Sequence, residues 1–419
     1  MQRPFGKRFS RSFSELLRML LLFFSEMAAC GVMGALRLFL AVSVLAGHLR
    51  YGRGICGLTL LPGGLAVECF FVISGFYMAL VLHEKYNYRG SYWAFIQQRY
   101  LRLYPLYLIV AILILIVEGL ITYSTSQPCG DFAEWAKQPR CVTLLSGCYY
   151  ALVNLVILGQ DSLWFLSQAN FTGQLYLTPY NVPHATNCVY YLVNGPTWTL
   201  AVEMTFYLLA PFMVRRSIKA QATYMLASLV LRSVFFWTMD PKHSTPWTYC
   251  FSPSVLCFFM AGSLGYQVYK RHGAALEQFA RKHWWIFGIF AVFMLDPSRL
   301  PYKDYYFYLF LPLAIVMVPL LFAYTRNNKR DRLIGELSYP YYLVHYHVIA
   351  VAEYFLHEKH NAIFGPLCAV VALGLAYLLY RLIEIRTDHY REQLFQKIHP
   401  SGNLEAVALP PSATTDSQA

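Results

Sequence analysis

Charge is what this sequence has least of. Only 13% of its 419 residues are Asp, Glu, Lys or Arg, while 57% are hydrophobic and the mean hydropathy is +0.40. A chain so poor in charge cannot dress an ordinary water-facing surface, which excludes the soluble globular class. The ten cysteines form no C-x-x-C pair and no Cys/His cluster at zinc-ligand spacing, so the pattern indicates no metal site. No G-x-G-x-x-G or Walker loop opens a soluble helix, which removes the common nucleotide-binding domains. Hydropathy shows no internal repeat or inverted duplication, and that weakens a secondary-transporter reading. The first apolar run leads into a further apolar span without a small-residue cleavage site, so no cleaved signal peptide is expected.

What is present is a series of apolar spans divided by short basic loops. The 34 Lys and Arg against 22 Asp and Glu give a formal charge of +12. Because the basic residues cluster between spans, positive-inside topology accounts for them better than nucleic-acid binding, and no nucleic-acid partner is expected. The pattern predicts an all-α polytopic membrane protein, a bundle of about ten transmembrane helices with about eleven as the alternative. Spans are read at about 31–49, 63–82, 105–122, 197–214, 220–237, 249–269, 284–296, 305–324, 336–355 and 362–383. Residues 142–159 are apolar enough to cross, but a crossing there would put every later basic loop on the wrong side. They are therefore read as re-entrant or packed against the bundle.

Three regions follow: a basic amphipathic extension over 1–32, with Met33 as an alternative start; a membrane domain over 33–385; and a cytoplasmic, largely disordered tail over 386–419. Cys129, Cys141 and Cys188 fall in loops outside the cytoplasm, where disulfides are permitted but not implied.

Several ionisable residues interrupt the spans. Arg37 and His48 stand eleven residues apart in the first span, which places them near one helix face and about 16 Å apart along the axis. Leu40, Ala41, Val44 and Leu45 make the stripe between them apolar, a surface able to line a slot. Glu68 lies inside the second span, before Phe70-Phe71-Val72-Ile73-Ser74-Gly75-Phe76. Arg99 and Arg102 sit one turn apart at the cytoplasmic mouth of the third, where paired guanidinium groups suit phosphates. Glu203 follows Trp198 by five residues, and Ser338, Tyr342 and His345 share a stripe at i, i+4, i+7. Each has a plainer reading: snorkelling anchor for the arginines, interhelical hydrogen bonding for Ser338 and Tyr342, interfacial belt for Trp198. Glu68, Glu203, His48 and His345 together imply a shared polar interior, since ionisable groups within spans are costly.

In this order the motifs resemble the acyltransferase-3 family of integral-membrane O-acyltransferases, over about 33–384. The Arg37/His48 pair, Glu68 before its Phe-Phe-Val-Ile-Ser-Gly-Phe run, Arg99 to Pro105, Trp198 to Tyr207 and Ser338 to His345 carry the resemblance. One departure is Glu384-Ile385-Arg386, where the family often has Glu-x-Pro, so no role is carried to Glu384. No hydrolase-like domain is fused after the last span.

The resemblance implies transfer of an acyl group, most often acetyl from acetyl-CoA, to a hydroxyl of a sugar or surface glycan precursor. His48 is then the catalytic base, with Glu203 or Glu68 orienting it. Arg37, Arg99 and Arg102 hold the acyl-CoA donor, and Trp198, Ser338, Tyr342 and His345 support the site; no metal is called for. The implied partners are the lipid bilayer, a carbohydrate or glycolipid acceptor and glycan-synthesis proteins, in a bacterial inner membrane. The rival class is a proton-coupled transporter or flippase using the same His and Glu residues as a relay. Both termini and the loops near 85–102 and 326–332 are expected in the cytoplasm, because that arrangement gathers the basic loops on one side. A cysteine introduced near Lys329 should resist an impermeant thiol reagent in intact cells, and its ready modification would overturn the topology.

Overall fold

The computed structural model describes residues 33–398 apart from 50–53, 56–57, 59, 139–141, 178–184, 241–243, 296–305 and 357–362. The extension over 1–32, Cys141 and the chain from 399 onward lie outside the described residues.

Long runs of Leu, Phe, Ala and Val leave the backbone no polar partner but itself, and helices result. Helix α1 (Met33–His48) is followed by α2 (Gly63–Glu84), α3 (Ser91–Thr125), the short α4 (Asp131–Ala136) and α5 (Leu144–Val156). Then come α6 (Trp198–Met213), α7 (Ile218–Thr238), α8 (Ser252–Lys282), α9 (Trp285–Leu295) and α10 (Tyr306–Thr325). The chain ends in α11 (Lys329–Glu336), α12 (Ser338–Leu356), α13 (Phe364–Leu379), a π-helical turn at Tyr380–Glu384 and α14 (Ile385–Ile398). Among the described residues, three helices are long and apolar enough to cross a membrane: α2, α3 and the run Phe364–Lys397. Shorter apolar helices are α1, α5, α9 and Leu309–Thr325.

Three features depart from the sequence pattern. Helix α3 begins at Ser91, behind Gly90 at φ +83°, so Arg99 and Arg102 ride on the helix and not in a loop. Pro105, which suits a first helical turn, marks a start by sequence but lies inside α3. Helix α8 likewise continues to Lys282, kinked at His272. Third, a small antiparallel sheet interrupts the all-α pattern between α5 and α6: β1 (Leu166–Ala169) lies between β2 (Leu175–Leu177) and β3 (Ala185–Asn187), with Ser167 opposite both Tyr176 and Asn187. Strands this short carry no alternation that a sequence reading could detect. Within 142–159, α5 has 13 residues. That is about 20 Å of helix against a hydrocarbon core of about 30 Å.

Two close contacts order the bundle. At the crossing of α2 and α8 a Cβ on Gly75 would fall 1.9 Å from the Phe259 carbonyl oxygen, and one on Gly262 would fall 1.9 Å from that of Val72. Backbones approach this closely only where the residue at the contact lacks a side chain. At the start of α1, the Asp331 carboxylate of α11 accepts hydrogen bonds from the Gly34 and Ala35 amides at 2.7 and 3.1 Å. It thereby satisfies two of the four orphan donors of that helix end. Gly34 has no room for a side chain there, since its Cβ would lie 1.7 Å from the Asp331 carbonyl oxygen.

Gly262→Val should therefore destabilise the protein by about 3 kcal/mol or more, because the clash is with backbone that no rotamer relieves. Gly374, with nothing within 4 Å of its Cβ position, is the control. Thermal unfolding in detergent should show a large loss for the first substitution and almost none for Gly374→Val.

Candidate active site

Two groups of the residues singled out by sequence lie at opposite ends of α1. Arg37 sits in its first turns and His48 is its last residue. His48 is solvent-accessible at the helix end, not embedded in the apolar core, while the stripe of Leu40, Ala41, Val44 and Leu45 is fully buried against neighbouring helices. That face is packed core and does not line an open slot.

At the His48 end the side chain meets helix α12. The His48 and His345 rings are 5.3 Å apart between centroids, and Tyr346 packs edge-on to His48 at 5.4 Å. His345 is completely buried, and its Nδ1 lies 2.6 Å from the Tyr342 carbonyl oxygen. A carbonyl can only accept, so Nδ1 carries the proton of the neutral ring and Nε2 presents a bare lone pair. That Nε2 has no hydrogen-bond partner among the described residues. The Tyr342 hydroxyl, one turn earlier, bonds Thr199 Oγ1 at 2.8 Å and the Pro196 carbonyl at 3.0 Å. It joins α12 to the start of α6, where Trp198 is buried against Tyr249 and Trp164. Trp198 is thus an interior residue and not a belt anchor.

At the Arg37 end, Arg102 donates to Glu336 at 2.9 Å. The Arg37 guanidinium lies over Gly335, its Nη1 3.4 Å from where a Cβ there would stand. Arg99 is buried on the Phe95 ring, with its Nε unpartnered. Ser338 belongs to this end too, its hydroxyl closing the α11–α12 turn on the Gly335 carbonyl at 2.6 Å. The stripe of Ser338, Tyr342 and His345 therefore runs between the two groups.

Between them lies Glu203, whose Oε1 accepts from both Ser74 Oγ at 2.7 Å and the Tyr207 hydroxyl. Two donors on one oxygen hold that carboxylate in a single orientation. Glu68 is committed elsewhere: it pairs with Arg232 of α7 at 2.6 Å, and Arg232 also reaches the Thr248 carbonyl and lies over the Phe258 ring. Neither glutamate has a hydrogen bond to His48 among those described. Arg232 is a partner that the sequence pattern did not single out, while Tyr207 closed the Trp198 to Tyr207 motif without a role of its own. The only signal for Arg232 was a lone cation within an apolar run, which a snorkelling anchor would also give.

The acyltransferase domain family matches residues 33–381, a stretch that encloses all of these groups. The chain is 26% identical over 190 residues to acyltransferase MdmB of Streptomyces mycarofaciens, covering 43% of this chain and 38% of that relative. It is also 20% identical over 202 residues to an uncharacterized protein of Aquifex aeolicus strain VF5, covering 48% of this chain and 90% of that protein. No solved structure matches.

The pairing of Glu68 makes a clear energetic prediction. Breaking a buried ion pair from one side strands the other charge, so Glu68→Gln or Arg232→Met alone should cost about 3–5 kcal/mol. The double substitution should recover most of that loss. Denaturation of all four proteins in detergent measures the coupling, and additive losses would show that the pair carries no stability.

Proposed function

The chain belongs to the acyltransferase domain family and is an acyltransferase, and on that premise we propose that it transfers an acyl group, acetyl foremost, from acyl-CoA to a hydroxyl of a sugar or surface glycan precursor. The observation that carries this reading is the separation of roles along α1, with His48 beside His345 at one end and Arg37 with Arg102 at the other.

A sugar hydroxyl is a weak nucleophile, and a neutral imidazole that accepts its proton during attack on the thioester carbonyl relieves that weakness. In the proposed step the hydroxyl oxygen bonds to the acyl carbon, the carbon–sulfur bond breaks, and the proton taken by His48 leaves with the CoA thiol. His345, buried and held in one tautomer, supports His48 from the adjoining helix. Glu203, fixed by Ser74 and Tyr207, is better placed than Glu68 to serve the site electrostatically, because Glu68 is already neutralised by Arg232. Arg37, Arg99 and Arg102 receive the phosphates of the donor, for which guanidinium geometry is suited. Arg37 stands eleven residues of helix, roughly 16 Å, from the base, a length that an extended pantetheine arm covers.

This arrangement fits a protein of about ten crossings in a bacterial inner membrane, with both termini in the cytoplasm where acyl-CoA is made. The acceptor then reaches His48 from the other side, alone or handed over by glycan-synthesis proteins.

Purified protein in detergent should turn over acyl-CoA when a glycan acceptor is added, whereas a proton-coupled transporter needs two compartments and no thioester. His48→Ala should lower the rate by about 10²- to 10⁴-fold, the usual worth of a general base. Near-normal transfer by His48→Ala, with His345→Ala inactive, would move the role of base to His345. Absence of acyl-CoA turnover with every glycan acceptor class would sink the reading. Mass spectrometry of surface glycans from cells with and without the protein identifies the acceptor.

A further inference from the structure

Away from His48, three ligand-type side chains converge from three elements. Glu118 of α3, Asp131 at the start of α4 and His347 of α12 are all buried, and one donor atom of each lies within 4.8 Å of the others. His347 Nδ1 is 2.7 Å from Glu118 Oε1, and Glu118 Oε2 accepts from the Asp131 amide at 2.7 Å. Gly130, at φ +56°, makes room for the carboxylate, since a Cβ there would lie 2.1 Å from Glu118 Oε1.

The cluster has no cationic partner from Lys or Arg among the described residues. Two carboxyl groups share one imidazole. One buried carboxylate oxygen is left over among the described residues, Asp131 Oδ2, on a residue only 5% exposed. Leaving such an atom unmet is costly, and native proteins rarely do so without a ligand or another reason.

We propose that Glu118, Asp131 and His347 form a binding site for a divalent first-row metal ion, zinc foremost. Two carboxylates and a neutral imidazole match the oxygen and nitrogen ligands that zinc takes, and a double positive charge makes the cluster neutral. Ligand atoms around a tetrahedral zinc stand about 3.3 Å apart, so the atoms need a shift of about an ångström, the Glu118–His347 edge opening as its hydrogen bond is exchanged for two coordination bonds. The His347 proton moves from Nδ1 to Nε2, and any proton on Asp131 is released to solvent. The bound ion clips the far end of α3 and the loop helix α4 to α12. His345 and His347 are two residues apart on α12 and so point to different faces, which lets the clip steady the helix that presents His345 without touching the proposed transfer site.

The test uses the full chain in detergent, stripped with chelator and then dialysed against zinc or cobalt. Elemental analysis should find about one zinc per chain, and the melting temperature should fall on stripping and return with zinc. Glu118→Gln and Asp131→Asn should each weaken zinc binding by about tenfold or more, while His48→Ala keeps the ion. Cobalt should give a visible absorption band that Asp131→Asn abolishes. If a variant fails to fold, stripping and reloading of the unsubstituted protein decides. The proposal is overturned if that protein takes up no stoichiometric zinc or cobalt, or if folded variants bind as much as it does; the cluster is then a proton-sharing ion pair.

Discussion

A charge carried into an apolar bundle has to meet an opposite charge or give up its own, because the several kcal/mol lost on leaving water are recovered in no other way. That demand selects helix neighbours here. Glu68 of α2 meets Arg232 of α7, and Arg102 of α3 meets Glu336 of α11. Each pair joins segments more than a hundred residues apart, and each admits one register only. Apolar contacts among Leu, Phe and Ala would tolerate a helix sliding by a turn. A carboxylate that must reach one guanidinium does not.

The same demand explains what could be read from the sequence and what could not. Most helices lie close to the apolar runs that announce them, since the signal sits in consecutive residues: α6, α7 and α12 fall within a few residues of the spans read at 197–214, 220–237 and 336–355. Boundaries drifted where a local rule misled, as with Pro105, which suits a helix start yet lies inside α3. The His48–His345 contact was legible in part, because both residues stood out as imidazoles at the ends or within spans. The partners of the glutamates were not. Nothing local distinguishes Arg232 from an interfacial anchor, and the convergence of Glu118, Asp131 and His347 depends on how α3, α4 and α12 pack.

Helix α12 carries much of the chemistry because its two faces do different work. Ser338, Tyr342 and His345 touch α11, α6 and α1 in turn, so one helix records the positions of three others. His347 turns to α3. Tyr342 contributes twice, by its hydroxyl to the start of α6 and by its backbone carbonyl to the tautomer of His345. A change at that residue which leaves the backbone in place removes the first role and spares the second.

Gly75 against the Phe259 backbone and Gly262 against that of Val72 place main chain directly on main chain, with no side chain of either glycine between to act as a bearing. Helices separated by leucines can roll, because rotamers rearrange as they turn. Those that touch through Cα atoms cannot. The α2–α8 pair is therefore the stator of the molecule, and whatever motion admits a substrate or releases a product has to be made by the helices around it.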